Sequence, residues 1–140
     1  MVIYFDSSAL VKLVVEETGS DLVAELWDGC DAAVSSRIAY PEVRAALAAA
    51  GRNHDLDPVG QVAAERAWDE FWSATRPVEL TSAVEQDADQ LAARHYLRGA
   101  DAVHLASALA LGQPGLILAA WDRRLRRAHR RPAWPSSRPS

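Results

Sequence analysis

Residues 2–13 read VIYFDSSALVKL, and this stretch decides the fold. Residues 2–5 form an uninterrupted run of β-branched and aromatic side chains, which predicts a strand buried on both faces, as in the middle of a parallel sheet. The run stops at Asp6, and Ser7 and Ser8 are expected to cap an amphipathic helix, because a serine hydroxyl accepts from free N–H groups of a first turn. Asp6 therefore falls at the carboxyl end of a central strand, the edge at which open α/β sheets bind ligands.

The size and composition predict one domain. The chain has 140 residues, of which 49% are hydrophobic, enough for a single core spanning residues 1–140 with a loosely ordered tail at 132–140. The one cysteine, Cys30, excludes an internal disulfide and suits a reducing cytosol. No apolar run approaches ~20 residues, and no basic segment precedes the first strand, so we expect a soluble, cytoplasmic protein.

The charge is distributed unevenly. The net charge is −4, yet seven of the 15 basic residues are arginines between Arg123 and Arg138. A basic segment beside an acidic body indicates an anionic partner, although a solvated helix face explains it equally well.

Strands and helices alternate along the chain. Further strands are expected at residues 32–34, 77–80 and 115–119, with helices between them. This alternation predicts an α/β fold with a mostly parallel sheet flanked on both faces, in which the carboxyl ends of the strands share one rim. Asp6 and Asp122 both fall at such ends.

Four carboxylates stand where a strand ends or a helix begins: Asp6, Glu42, Asp101 and Asp122. Singly, Asp101 and Asp122 have an alternative explanation as helix caps, and Glu42 as a solvated side chain. If all four converge, their mutual repulsion must be relieved by protonation or by a cation. Because no Cys/His cluster accompanies them, the ligands are hard oxygens, which suit Mg²⁺ or Mn²⁺ and the hydrolysis of phosphate esters.

Four segments carry a resemblance to a known family: VIYFDSSALVKL (residues 2–13), SSRIAYPEVRAAL (35–47), LRGADAVHLASALAL (97–111) and LAAWDRRLRRA (118–128). In this order and spacing they resemble PIN-domain ribonucleases, and most closely the VapC toxins of VapBC toxin–antitoxin pairs. The resemblance implies a PIN domain, with a mostly parallel four- to five-stranded sheet sandwiched by about seven helices. One position departs from the pattern, since Ala120 stands where many relatives have Thr or Ser.

The resemblance also implies an activity, the Mg²⁺- or Mn²⁺-dependent endonucleolytic cleavage of structured RNA (tRNA or rRNA), which arrests translation and growth. Asp6 and Asp101 would be the principal metal ligands, Glu42 would ligate or position the attacking water, and Asp122 would help to hold a second or weaker ion. Ser8 would line the pocket. The implied partners are a cognate VapB-type antitoxin and a second copy of the chain, in a homodimer or a toxin–antitoxin heterotetramer or larger.

Several other residues have a functional and an ordinary interpretation. RNA phosphates are expected to meet Lys12, Arg44, Arg123, Arg124 and Arg127, although each of these is also explained as solvated. His104 is either a phosphate or water contact or a packed histidine with one satisfied nitrogen. Tryptophans on helical stripes are either core or the lining of an apolar groove for the antitoxin; they are Trp27, Trp68 and Trp72.

Other α/β classes lack their signatures here. A haloacid-dehalogenase phosphatase needs an Asp two residues after the first, where this chain has Ser8, and a receiver domain needs an adjacent acidic pair and a late lysine. No G-x-S-x-G or glycine-rich nucleotide motif is present. The remaining alternative is a PIN-like module that binds RNA or protein without cutting, which Ala120 keeps open.

Overall fold

The structure, a computed structural model, describes residues 1–121, and its four strands in that range form one parallel sheet. The strands are β1 (Val2–Phe5), β2 (Ala32–Ser36), β3 (Thr75–Val78) and β4 (Ile117–Ala119). Their order is β3-β2-β1-β4, so β1 is a central strand, in register with β2 through Ile3 and Ala33 and with β4 through Ile3 and Ile117. The predicted α/β fold and buried first strand are confirmed.

Six helices flank the sheet within the described range: α1 (Ser7–Val11), α2 (Ser20–Gly29), α3 (Ala39–Arg52), α4 (Pro58–Ser73), α5 (Ser82–His95) and α6 (Gly99–Ala110). Side chains alternate along β1, so Ile3 and Phe5 pack with residues of α1–α4, whereas Tyr4 packs with Val34 and Ala108 on the α6 side. The sheet thus lies between two helical layers. None of these six helices is both long enough and apolar enough to cross a membrane.

Two helix starts differ from the expected caps. The cap of α1 is Asp6, whose Oδ1 accepts from the Ala9 N–H at 2.9 Å, and not the serines that follow it. Asp6 has the extended backbone of a cap residue, whereas Ser7 and Ser8 already lie inside the helix, which leaves their hydroxyls for other partners. At α6 the cap position is Arg98, without a side-chain cap bond, so the cap interpretation of Asp101 is wrong.

The third strand begins earlier than predicted. It was expected at residues 77–80 and spans Thr75–Val78, because Thr75 is buried and its Oγ1 donates to Phe71 O at the end of α4. Pro77 is tolerated there because β3 is an edge strand. The chain beyond residue 121, where a further helix, a possible fifth strand and the tail at 132–140 are expected, lies outside the described residues.

Of the two interpretations of the tryptophans, the core one is confirmed for Trp68, which is completely buried. Its ring stacks on the ring of Tyr40, with 6.0 Å between the ring centroids, and its Nε1 donates to the Tyr40 carbonyl at 3.3 Å. Trp72 lies 5.6 Å from Trp68, and Trp27 contacts Phe5; both pack partly buried against the same core. The rings of Tyr40, Trp68 and Trp72 fix α4 against α3, the helix that carries Glu42.

We expect Trp68→Ala to lower the free energy of unfolding by about 3–5 kcal/mol, because it removes a large, fully buried ring. Val59→Ala on the exposed face of α4, where Val59 is 79% exposed, should cost less than about 0.5 kcal/mol. Urea unfolding followed by circular dichroism measures both, and equal losses would contradict the assigned core.

Candidate active site

Asp6 is a buried carboxylate at the carboxyl end of β1, with 3% of its surface exposed. Its Oδ1 accepts from the Ala9 N–H and from Ser8 Oγ, at 2.9 and 2.7 Å. Burial raises the pKa of Asp6 and outweighs the lowering by these two hydrogen bonds and by His104, and the negative charge of Asp101 adds a smaller increase. The two carboxylates of Asp6 and Asp101 therefore lie close enough to repel each other, in a region that water reaches poorly.

Asp101 lies in the first turn of α6 and is 9% exposed. Arg98 Nε donates to its Oδ2 at 3.2 Å, across one helical turn. The positive charge of Arg98 also lowers the pKa of Glu42, so Arg98 lies near two of the predicted site acids. Arg98 was not selected from the sequence, although its position three residues before Asp101 was a usable signal.

Glu42 reaches the same region from α3. Its Oε1 accepts from Ser7 Oγ at 2.6 Å and lies 2.7 Å from His104 Nε2, which is itself 3.0 Å from Ser7 Oγ. Burial raises the pKa of Glu42, but the hydrogen bonds with His104 and Ser7 and the nearby positive charge lower it more, so the net shift is downward. Glu42 is thus held ionised beside the end of β1.

His104 is 2% exposed, and both of its ring nitrogens have partners, because Nδ1 lies 2.7 Å from Tyr4 Oη. The interpretation of His104 as a packed histidine is confirmed, except that both ring nitrogens have partners and not one. Its side chain is too buried for a phosphate contact. Tyr4 and Ser7 were not selected from the sequence as site residues. The placement of Ser7 beside Asp6 was a local signal, whereas the contacts of Tyr4 depend on residues far along the chain.

Ser8 ties the ends of two strands together. Its hydroxyl donates to Asp6 Oδ1 and accepts from the Trp121 N–H, which follows β4, at 3.1 Å. Ala120, the departure from the family pattern, is 4% exposed and packs with Leu105 in the α5–α6 core. A hydroxyl therefore still links Asp6 to the end of β4, although it comes from Ser8.

Two of the predicted RNA contacts have partners within the protein. Lys12 Nζ lies 3.0 Å from Glu17 Oε1, donates to the Thr18 carbonyl at 2.7 Å, and sits 5.2 Å above the ring of Trp121. Trp121 is half-buried and also packs on Gly19.

Arg44 instead faces α4. Its Nη2 pairs with Asp69 Oδ2 at 3.0 Å, its Nη1 lies 3.6 Å from Glu65 Oε2, and its guanidinium also donates to Tyr40. The structure does not bring Arg44 together with Glu42, although the two residues share α3.

Carboxylates dominate the donor set in this region, and no cysteine joins them, so the chemistry fits Mg²⁺ or Mn²⁺ better than Zn²⁺. Within residues 1–121, however, no three His, Cys, Asp or Glu side chains form a group close enough to hold an ion. Asp122, the fourth predicted ligand, lies outside the described residues, as do Arg123, Arg124 and Arg127.

Asp6→Asn should raise the free energy of unfolding at neutral pH in the presence of a chelator. The folded-state pKa of Asp6 is raised, so the folded state binds more protons between the two pKa values, and stability falls as pH rises through that window. Asparagine keeps the cap without the charge. The gain should therefore vanish as pH falls below about 3.9, the ordinary Asp value.

Urea titrations across pH measure this difference. The matched control is Asp89→Asn at an exposed position of α5, which should change stability by less than about 0.5 kcal/mol. If the difference in the free energy of unfolding between wild type and Asp6→Asn did not change with pH, it would contradict the burial of a charged Asp6 side chain.

Comparison with known proteins agrees with this architecture. A PIN-domain family model matches residues 3–130. Ribonuclease VapC45 and Ribonuclease VapC49 of Mycobacterium tuberculosis (strains CDC 1551 / Oshkosh and ATCC 25618 / H37Rv) are each 70% identical over 123 residues, 88% of this chain and 85% of theirs. The crystal structure of Mycobacterium tuberculosis VapC20, a sarcin-ricin loop cleaving toxin, has a TM-score of 0.66 at 21% identity, covering 93% of this chain and 99% of that one, and shows the shared fold. The chain therefore belongs to the PIN-domain family, among its VapC ribonucleases.

Proposed function

We propose that this chain is a Mg²⁺- or Mn²⁺-dependent endoribonuclease, the toxin of a toxin–antitoxin pair, which cleaves structured RNA (tRNA or rRNA) and so arrests translation and growth. The observation that carries the proposal is the buried Asp6 at the end of the central strand, with the charge of Asp101 acting on it. The 70% identity to two proteins named as ribonucleases supports it.

Asp6 and Asp101 are the proposed principal ligands of the ion, with Glu42 and Asp122 completing the set. Both principal acids are nearly buried, so their charges are poorly screened by water, and a divalent cation relieves their repulsion. When bound, the ion supplies electrophilic stabilisation of the scissile phosphate and lowers the pKa of a coordinated water.

The chain's own residues have separate roles in this proposal. Glu42, which is kept ionised by its hydrogen bonds, ligates the ion or orients the attacking water. Ser8 holds Asp6 Oδ1 and the end of β4 in one place, so that the ligand does not rotate during the reaction. Arg98 donates to Asp101 Oδ2 and so helps to orient that ligand.

The proposed RNA-binding residues are Arg123, Arg124 and Arg127, which follow Asp122 in the sequence, with Lys12 and Arg44 as further candidates. Arginine suits this role because its planar guanidinium binds phosphate oxygens in pairs. Lys12 and Arg44 carry internal ion pairs, so their contribution requires that these pairs be exchanged for phosphate.

The proposed partners follow from the relatives named VapC. They are a VapB-type antitoxin that folds onto the toxin and a second toxin copy, giving a homodimer or a heterotetramer or larger complex in the cytoplasm. An antitoxin with a basic side chain placed among the site acids would block the ion and the RNA together.

Purified wild-type protein should cleave total RNA only with Mg²⁺ or Mn²⁺ present, and a chelator should abolish cleavage. Asp6→Asn and Asp101→Asn should each lower the rate by more than the roughly 10–100-fold typical of residues behind a ligand. Asparagine keeps the shape of each side chain but loses the charge that holds the ion.

Asp89→Asn, purified in the same way, should keep the wild-type rate. Equal cleavage by wild type and both site variants would identify a contaminant. A pure wild-type protein that binds RNA without cutting would favour the non-catalytic module instead.

Replacing Arg123, Arg124 and Arg127 together by glutamine should weaken RNA binding and flatten its salt dependence. For each RNA phosphate that the variant no longer neutralises, the plot of the logarithm of the binding constant against the logarithm of the salt concentration should become shallower by about 0.7–0.9. Fluorescence anisotropy with labelled RNA at several salt concentrations measures the slope, in the presence of Ca²⁺ or of the Asp6→Asn substitution to prevent cleavage.

The matched control has the same reduction of charge elsewhere on the surface, with glutamine at Arg52, Arg66 and Arg76. The control should keep most of the wild-type slope. Equal slopes in the two triple variants would place the RNA on another surface.

A further inference from the structure

A row of buried hydrogen bonds runs from the main chain of β2 to Glu42. The Ser36 N–H donates to Tyr4 Oη at 3.0 Å, and Tyr4 Oη lies 2.7 Å from His104 Nδ1. His104 Nε2 then lies 2.7 Å from Glu42 Oε1. We call Ser36, Tyr4, His104 and Glu42 the buried row. Its first three residues are at most 2% exposed, so water does not compete for these bonds.

The main chain fixes the direction of the first of these hydrogen bonds, and the directions of the other two are inferred from it. A backbone N–H can only donate, so Tyr4 Oη accepts from Ser36 and has its own hydrogen available to donate. His104 Nδ1 lies within reach as the acceptor of that hydrogen. The neutral ring then carries its hydrogen on Nε2, which donates to Glu42 Oε1. In this arrangement each group donates one hydrogen bond to the next group, and the last of these bonds reaches the carboxylate.

Glu42 Oε1 receives a second hydrogen bond, from Ser7 Oγ at 2.6 Å. Rotation of the carboxylate would break both bonds at once. The Glu42 side chain is nevertheless 31% exposed, so water and ions can still reach it. We propose that Tyr4 and His104 are positioning residues, which fix Glu42 through Oε1 and leave Oε2 to act on the water or ion. This inference rests on the proposed function and assigns two residues to it.

A merely structural role makes a different prediction. If the buried row only satisfied polar groups in the core, removing one member would lower the free energy of unfolding but leave the turnover of the folded protein unchanged. A positioning role lowers kcat with little effect on the KM for RNA, because Tyr4 and His104 do not touch the substrate. The two roles are therefore separable by kinetics on folded protein.

The first test uses Tyr4→Phe, which removes one oxygen and keeps the ring. We expect kcat for RNA cleavage to fall about 10-fold, with KM within about twofold of wild type. The matched control is Thr75→Val on β3, which removes another buried hydroxyl, one that donates to the Phe71 carbonyl at 2.8 Å and has no part in the buried row. The kcat of Thr75→Val should stay within about twofold of the wild-type value. Equal reductions of kcat in the two variants, or an unchanged kcat in Tyr4→Phe, would overturn the proposal.

The second test compares two replacements of His104. Glutamine carries an N–H group near the position of Nε2 and can still donate to Glu42, whereas leucine cannot. We expect kcat to fall about 100-fold in His104→Leu and about 10-fold in His104→Gln. If folded His104→Leu and His104→Gln were equally active, donation to Glu42 would not matter and the proposal would be wrong.

The third test needs no activity. In metal-free protein labelled with ¹⁵N-histidine, NMR should show His104 with its hydrogen on Nε2 and an unprotonated Nδ1. Tyr4→Phe should change the Nδ1 resonance. A hydrogen on Nδ1 in the wild type would overturn the inference even if RNA is cleaved. Conversely, an inactive wild type with the expected tautomer would refute the proposed function and leave the hydrogen-bond direction intact.

Discussion

The burial of one carboxylate, that of Asp6, constrains the whole structure. The backbone N–H of Asp6 donates to the Ala119 carbonyl at 3.1 Å, which extends the pairing of β1 with β4, while its side chain starts α1. Removing this charge from water is costly, and two hydrogen bonds do not balance the cost, since burial still raises the pKa of Asp6. The remaining cost is what makes this strand end a favourable place for a cation.

The region around Asp6 also joins the two helical layers. Glu42 comes from α3 on one side of the sheet, and Asp101 and His104 come from α6 on the other. Ser7 lies between them and contacts both Glu42 and His104. The chemistry of the site therefore depends on the relative position of the two layers, so that packing at a distance, as at Trp68, supports the geometry of the carboxylates.

The central strand and the carboxylate at its end were predictable, because an uninterrupted apolar run followed by an acid is a local pattern. The cap of α1 was assigned to the wrong residues, because Asp6 and the two serines all have capping side chains and only the backbone at Asp6 distinguishes them. The hydrogen-bond partners of His104 were not predictable, since Tyr4 and Glu42 are 100 and 62 residues away along the chain. Tertiary hydrogen bonds of this kind leave no periodic signal in the sequence.

The convergence of distant acids on a divalent ion is tested most directly by anomalous diffraction from crystals grown with Mn²⁺. We predict a manganese peak within coordination distance of carboxylate oxygens of Asp6 and Asp101, with Glu42 Oε2 and Asp122 beside it. A fully loaded crystal with manganese bound elsewhere, or with Asp122 directed away from Asp6, would contradict it.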